Sequence, residues 1–507
     1  MRKVVIFLIL LLLLLFTPSY GEEYEIVAKG LKVPWDMVFT PDGRIFVTER
    51  EGKVRLIENG KLKEEPMLEI NVAKVGEAGL LGIALHPRFS ENHFVYIYYT
   101  YQASFNELRN RVARFVEKDG KLLNERIILD IPMNSNSAIH HGGRIKFGPD
   151  GKLYITVGDG ANSLQVQDLN SYAGKVLRIN DDGTIPEDNP FKGSPIYTYG
   201  HRNPQGIDWH PITKKPYISE HGPSGFDYSI RQLRNRGYDE INLLEAGKNY
   251  GWPLYVGKEN DPNYVDPIID SDGETWAPSG ITFYKSGKIE AFKDSLLIAN
   301  LRGQHLRVIK LKPPNFDEVI DQKVFFLNQF GRIRQVVEGE DGSLYLLTSN
   351  RDGRYPNPAP DDDKIIKIKP SYKKFQLLED GVSFSVTFFG NSSIKDLQFS
   401  KDLKMIKLLV ESQKESELEV NIPKKLLGPP YFLEINESSQ DFKFNENFTH
   451  AIITFKLPKG ESEVKIIGTT VIPEFPYPLL LSFLSLLLLL FLLKFIQVRI
   501  RSLTSHS

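Results

Sequence analysis

Between Val38 and Pro370 the sequence repeats one small unit: a Pro-Asp-Gly-like turn, a strand of alternating aliphatic and aromatic residues, a Gly-Lys-like turn and a second strand. FTPDGRIFVTEREGKVRLI at 39–57 is the first copy, and LHPRFSENHFVYIYYTY at 85–101, FGPDGKLYITVGD at 147–159, WHPITKKPYISEH at 209–221 and GEDGSLYLLTSN at 339–350 share its core. A strand pair, Ser295 to Asn300 with Leu306 to Leu311, fills the remaining gap and makes six units. Repeats of about 40–50 residues that are nearly all strand cannot bury their apolar faces alone and must stack on one another. The chain is therefore expected to be all-β, with residues 22–370 forming a six-bladed β-propeller that a strand at Glu25 to Ala28 closes. Such a ring has a central channel, and functional residues are expected in the loops at one of its mouths.

Outside the repeat the character changes. Residues 371–470 still read as strands, for example Val382 to Phe389 and Ala451 to Leu457, and are expected to form a small β-sandwich that serves as a spacer. Residues 1–21, with Arg2 and Lys3 before the apolar run Val4 to Phe16, have the layout of a secretory signal peptide. After a Pro-rich linker at 471–478, an apolar run at 479–498 is long enough to cross a bilayer, and Arg499 and Arg501 assign the tail at 499–507 to the cytoplasm. The body is thus expected on the outer, cell-surface side of a membrane, tethered by a C-terminal transmembrane helix. Three Asn-x-Ser/Thr triplets, at Asn391, Asn436 and Asn447, suit an exported region. The absence of cysteine excludes disulfides and thiolate metal sites. A net charge of −1, from 63 basic and 64 acidic residues, gives no electrostatic reason to expect nucleic acid as a partner.

The chemistry is centred on HHGGRIKFGPDGKLYITVGDG, His140 to Gly160. Two strands joined by a tight turn bring their far ends together, so His140 and Asp159 share one end of a hairpin, where a carboxylate can orient an imidazole as a base. The plainer alternative, histidines capping a strand and Asp159 closing a turn, stays open on the hairpin alone. Other stretches fall on the same ring: Glu77-Ala78-Gly79, the cation and amide of Arg202 and Asn203 in YGHRNPQG, and Arg332 and Arg334, which alternation places on one face of a strand. Glu220-His221-Gly222-Pro223, followed by Asp239-Glu240-Ile241-Asn242, offers hard oxygen ligands that suit calcium. Taken singly, the arginines could be a solvated strand face or a loop staple; together they describe a mouth for an anionic, oxygen-rich ligand.

GEAGLLGIALHPRF, HHGGRIKFGPDGKLYITVGD, YGHRNPQG, SEHGP with YDEINLLEAGKNYGWP, WAPSG and GRIRQVV, in that order, resemble the soluble aldose sugar (glucose) dehydrogenases that use pyrroloquinoline quinone. The resemblance runs from about Leu31 to Pro370. It implies an oxidoreductase in which His140 takes the proton from the sugar C1 hydroxyl while hydride passes to the quinone, giving the lactone. It also implies that Asp159 orients His140, that Arg202 with Asn203 polarises the quinone carbonyl, and that Glu77, Thr275, Arg302, Arg332 and Arg334 contact the cofactor. The main-chain carbonyls of Gly222 and Pro223 would hold a calcium ion, and an electron acceptor outside the chain would complete the cycle. The sequence departs from the family pattern at Arg302, where a lysine is usual, at Asp270 to Gly273, where aromatic residues are usual, and at Phe226 to Gly237, which reads as an insertion. Two other readings of the same mouth stay open: a calcium-dependent hydrolase of the lactonase type, and a non-catalytic propeller that binds glycan or protein.

Overall fold

The computed structural model describes residues 24–224, 237–370, 372–390 and 392–471. The signal segment, the anchor helix, the tail and Asn391 lie outside the described residues, among which no helix is long and apolar enough to cross a membrane. The chain is all-β and divides into two compact units, Met1–Pro370 and Ser371–Ser507.

Among the described residues, the first unit holds six antiparallel sheets. Their first strands are Pro34–Phe39, Leu80–Leu85, Ile145–Phe147, Pro204–Trp209, Pro278–Phe283 and Ile333–Glu338. Each touches the next in order, and the last touches the first, so the six sheets are the blades of a closed propeller. Tyr24–Lys29 pairs antiparallel with Lys364–Ile368, with Ile26 opposite Ile366, and completes blade six from the N-terminal end of the chain. The expected closing strand is therefore present, longer by one residue at each end.

In every blade but the fifth, the turn that opens the repeat lies at the junction of the first and second strands. In blade three Gly151, at φ +74, donates its N–H to the Gly148 carbonyl (2.9 Å), and Asp150 caps the Lys152 N–H (3.1 Å). Ile145 then faces Ile155, and Phe147 faces Leu153. Second strands such as Ile45–Glu49, Leu153–Val157 and Leu344–Thr348 are buried along their whole length, because blades pack on both of their faces. Between blades two and three, for instance, Tyr96, Tyr98 and Val112 pack with Ile145, Ile155 and Leu177 in one cluster. In blade five the expected pair is present as Ser295–Asn300 and His305–Leu311, the second and third strands, as in the other copies of the repeat, and the first strand is Pro278–Phe283, which begins in the WAPSG motif.

The described residues of the second unit, taken by itself, form two five-stranded sheets and a two-stranded one. Phe388, Val420 and Ile453 from one large sheet and Leu408, Leu433 and Val464 from the other share a single core, so the unit is a β-sandwich.

Ring closure generates a prediction. Leu31 is fully buried with Ala28, Met37, Tyr345 and Ile365 at the seam between blades one and six. Leu31→Ala is expected to lower the unfolding free energy by about 2–5 kcal/mol, read as a lower denaturant midpoint. An unchanged midpoint would mean that the seam does not hold the ring.

Candidate active site

Turning every blade over at the same end places the start of each first strand beside the end of each second strand. In blade three this joins His140 to Asp159: His140 Nδ1 lies 2.8 Å from Asp159 Oδ1. Asp159 is buried, and it also accepts the Ala161 N–H (2.7 Å) on Oδ1 and the Trp252 indole N–H (2.8 Å) on Oδ2. Three donors fix one carboxylate. The His140 N–H reaches Glu77 Oε2 at 3.0 Å, and its carbonyl accepts the Gly160 N–H at 3.1 Å. His140 holds φ +60, a left-handed backbone that costs a non-glycine residue about 1–2 kcal/mol. A Cβ at Gly158 would collide with the His140 carbonyl, so that close approach requires glycine.

His140 lines a cavity of about 510 Å³, within the usual size range of small-molecule sites. With Nδ1 engaged, Nε2 is the ring nitrogen left for a ligand. Glu77, Arg202, Gly222, Thr275, Arg302 and Arg332 share the cavity wall, as do Asp239, His221 and Arg354. Arg202 donates to the His221 carbonyl (3.0 Å) and its backbone N–H is held by Glu220, whose other oxygen meets His201 Nδ1 at 2.8 Å. Burial alone would raise the pKa of Glu77. The Arg354 guanidinium, His140 and the His140 N–H outweigh that effect and hold its carboxyl well below the usual range.

Two expected residues sit elsewhere. Asn203 is fully buried behind the wall, where its Oδ1 accepts the Gly142 N–H (3.0 Å) and supports the loop carrying His140. Arg334 does not share the large cavity with Arg332. The strand begins at Ile333 and its pairing shifts register before Gln335, so the alternation expected of two residues on one face is broken. Arg334 lies deeper, against a void of about 10 Å³ that Trp35, His141 and His221 also line. It donates to Gln205 Oε1 (2.7 Å), and burial lowers its pKa to about 9. Arg332 grips Asp352 Oδ2 through Nε (3.0 Å) and Nη2 (2.8 Å), and Arg334 approaches the same oxygen at 3.8 Å.

The corner assigned to calcium is tightly built. The Gly222 N–H donates to Asp239 Oδ1 (3.0 Å), while Asp239 Oδ2 accepts the N–H groups of Trp276 (2.6 Å) and Ala277 (2.8 Å). Burial pushes the Asp239 carboxyl up to about 6 against those bonds. No side chain fits at Gly222, because a Cβ would meet the Tyr238 carbonyl. The Pro223 carbonyl accepts the Tyr238 N–H (3.1 Å) and keeps one lone pair for a further partner. Among the described residues no group of three or more His, Asp or Glu side chains is placed to hold a metal, so a cation here would depend on main-chain oxygens and its ligand. Most of the insertion at 226–237 lies outside the described residues; Gly237 itself bridges to Ser224 and Gly273.

The sequence profile for glucose/sorbosone dehydrogenases matches residues 31–357. The chain belongs to that family. The aldose sugar dehydrogenase YliI of Escherichia coli is 30% identical over 359 residues, which span 66% of this chain and 92% of that one. Quinoprotein glucose dehydrogenase B of Acinetobacter calcoaceticus is 30% identical over 458 residues, spanning 70% and 92%. The PQQ-bound structure of an aldose sugar dehydrogenase from Streptomyces coelicolor is 33% identical, with a TM-score of 0.58 over 68% of this chain and 97% of that one.

Three residues of this family member's site escaped the sequence reading. Asp352 and Arg354 follow the second strand of blade six as Asp159 follows that of blade three, and blade register was the signal that could have found them. Trp252 comes from a loop of blade four, and nothing local in the sequence ties it to Asp159. Below the Asp159 loop, Lys175 is fully buried, with Nζ donating to the carbonyls of Val166 (2.6 Å) and Ala173 (2.8 Å). Burial lowers its pKa to about 7. An unfolded lysine keeps its proton to about pH 10.4, so between those values the unfolded chain binds more protons and the native state gains stability as pH rises. Relative to Lys175→Met, the wild-type unfolding free energy is expected to rise from pH 7 to 10 by up to about 1.4 kcal/mol per pH unit, as measured by denaturant titration at each pH. A flat or falling difference would show that the ammonium is well accommodated.

Proposed function

We propose that this protein is a quinoprotein that oxidises the C1 hydroxyl of aldose sugars to the lactone. The observation that carries this reading is the buried His140–Asp159 pair opening into a cavity walled by Arg202, Arg302, Arg332 and Arg354. A cavity of this size with several guanidinium groups suits a flat, polycarboxylate quinone, and the buried His221 Nε2, which has no hydrogen-bond partner, offers one more polar contact in its wall. Pyrroloquinoline quinone bound there would supply the two-electron acceptor that no side chain provides.

The chain's own residues have separable tasks. His140 Nε2 accepts the proton of the C1 hydroxyl, and Asp159, with no freedom to turn, stabilises the imidazolium that results. Arg202 faces developing negative charge on the ligand, and Arg302, Arg332 and Thr275 hold its periphery. The carbonyls of Gly222 and Pro223 are the residues that would hold calcium. We further infer that the protein is exported and anchored through residues 479–498, which places the sugar and the electron acceptor outside the cell.

Loading the purified protein with calcium and pyrroloquinoline quinone, then following dye-linked oxidation of a panel of aldoses, tests this reading. Activity is expected to need both additions. His140→Ala is expected to lower kcat by about 10²–10⁴ while quinone binding, followed by absorbance, stays within a few-fold of wild type. Undiminished oxidation by that variant would remove His140 as the base, and failure of the wild type to bind the quinone would overturn the quinoprotein reading.

A further inference from the structure

Arg354 is the cation of the cavity wall to which neither the sequence motifs nor the roles above give a task. Its Nη2 lies 2.7 Å from Glu77 Oε1, and its side chain remains 48% exposed while that of Glu77 is 16% exposed. A guanidinium has five N–H donors. One contact to a carboxylate therefore leaves most of the fork open toward the cavity. The backbone of Arg354 is set by the same acid that holds Arg332: Asp352 Oδ1 accepts the Arg354 N–H (2.9 Å), and Asp352 Oδ2 carries the Arg332 fork. One buried carboxylate thus fixes two cations of the wall. Arg332 and Arg334 share Asp352, whose side chain is 1% exposed and out of a ligand's reach. Arg354, by contrast, is paired to an acid that itself lines the cavity.

We propose that Arg354 is a further carboxylate-binding residue for the cofactor and that Glu77 is its resting counter-ion, so that binding exchanges one carboxylate for another on the same guanidinium. This rests on the quinoprotein reading. Glu77 has a second task that the exchange leaves intact, because its Oε2 accepts the His140 N–H (3.0 Å) and keeps the base in place. The competing account is a structural ion pair that ties blade two to blade six and is indifferent to ligand.

The two accounts separate in the affinity for pyrroloquinoline quinone, measured on the full-length protein by fluorescence quenching at fixed calcium and over a series of salt concentrations. Glu77→Gln keeps an acceptor for the His140 N–H but removes the competing charge, and it is expected to tighten Kd several-fold. Arg354→Met is expected to weaken Kd by about tenfold or more, as loss of a charge-assisted contact does, and to flatten the salt dependence. In the double variant the gain from Glu77→Gln should vanish, since no cation is left to release. Values of Kd within twofold of wild type in both single variants overturn the proposal while leaving the quinoprotein reading intact; a wild type that does not bind the quinone overturns both. If Arg354→Met does not fold, Glu77→Gln still decides: unchanged or weaker binding sinks the exchange.

Discussion

The site depends on one geometric constraint: the first strands of six blades close into a ring, and every blade reverses at the same end. Two positions per blade then face one mouth, the residues just before the first strand and those just after the second. His140 and Asp159 occupy them in blade three, Arg202 and His221 in blade four, Thr275 and Arg302 in blade five, Arg332 and Arg354 in blade six. Residues far apart along the chain converge without long-range sequence signals, because each blade's first two strands reverse at the opposite end, in five of the six through the same local turn. The ring also explains why the second strands carry apolar residues on both faces: each is covered by a neighbouring blade, and no face is left to solvent.

Concentrating arginines in and beneath one mouth raises a second constraint. A buried guanidinium is tolerated only with a partner, and the channel supplies partners in a column. Arg144 pairs with Asp36 and sits 4.3 Å over the Trp35 ring; Arg334 leans on Gln205 and Asp352; Arg332 takes Asp352 from above. Asp352 therefore lets the wall stay cationic at its surface while the layer below is close to neutral. That division has a chemical use, since a wall of uncompensated arginines would hold any anion, whereas a partly compensated one favours a ligand with carboxylates at matching places.

What the sequence revealed follows the reach of each physical rule. The turn-strand repeat was readable because Pro-Asp-Gly turns are set by local backbone chemistry, and the His140–Asp159 pair was readable because both ends belong to one hairpin. Blade five was legible only through its second and third strands, since Pro278–Phe283 reaches the second strand through a longer connection without that turn. The arginines at 332 and 334 were placed on one face by strict alternation, a rule that fails where a strand begins between them and its register slips. The contacts of Arg354 with Glu77 and of Trp252 with Asp159 depend on which blades meet, and only the closed ring supplies that information.

The cavity wall combines two kinds of residue, and the difference fits what each has to do. His140 is tied at its N–H to Glu77, at its carbonyl to Gly160 and at its ring to Asp159, and it is held in a left-handed conformation that only such over-determination sustains. A proton acceptor must meet its donor within a few tenths of an ångström, so fixing the ring before substrate arrives removes a reorganisation that would otherwise add to the barrier. Arg302 stands exposed on the cavity wall, and Arg354 is half exposed on a single ion pair. Charge attraction falls off slowly with distance and tolerates such freedom. The rigid part of the mouth is thus the part where chemistry is distance-critical, and the adaptable part is where a ligand needs only to be held.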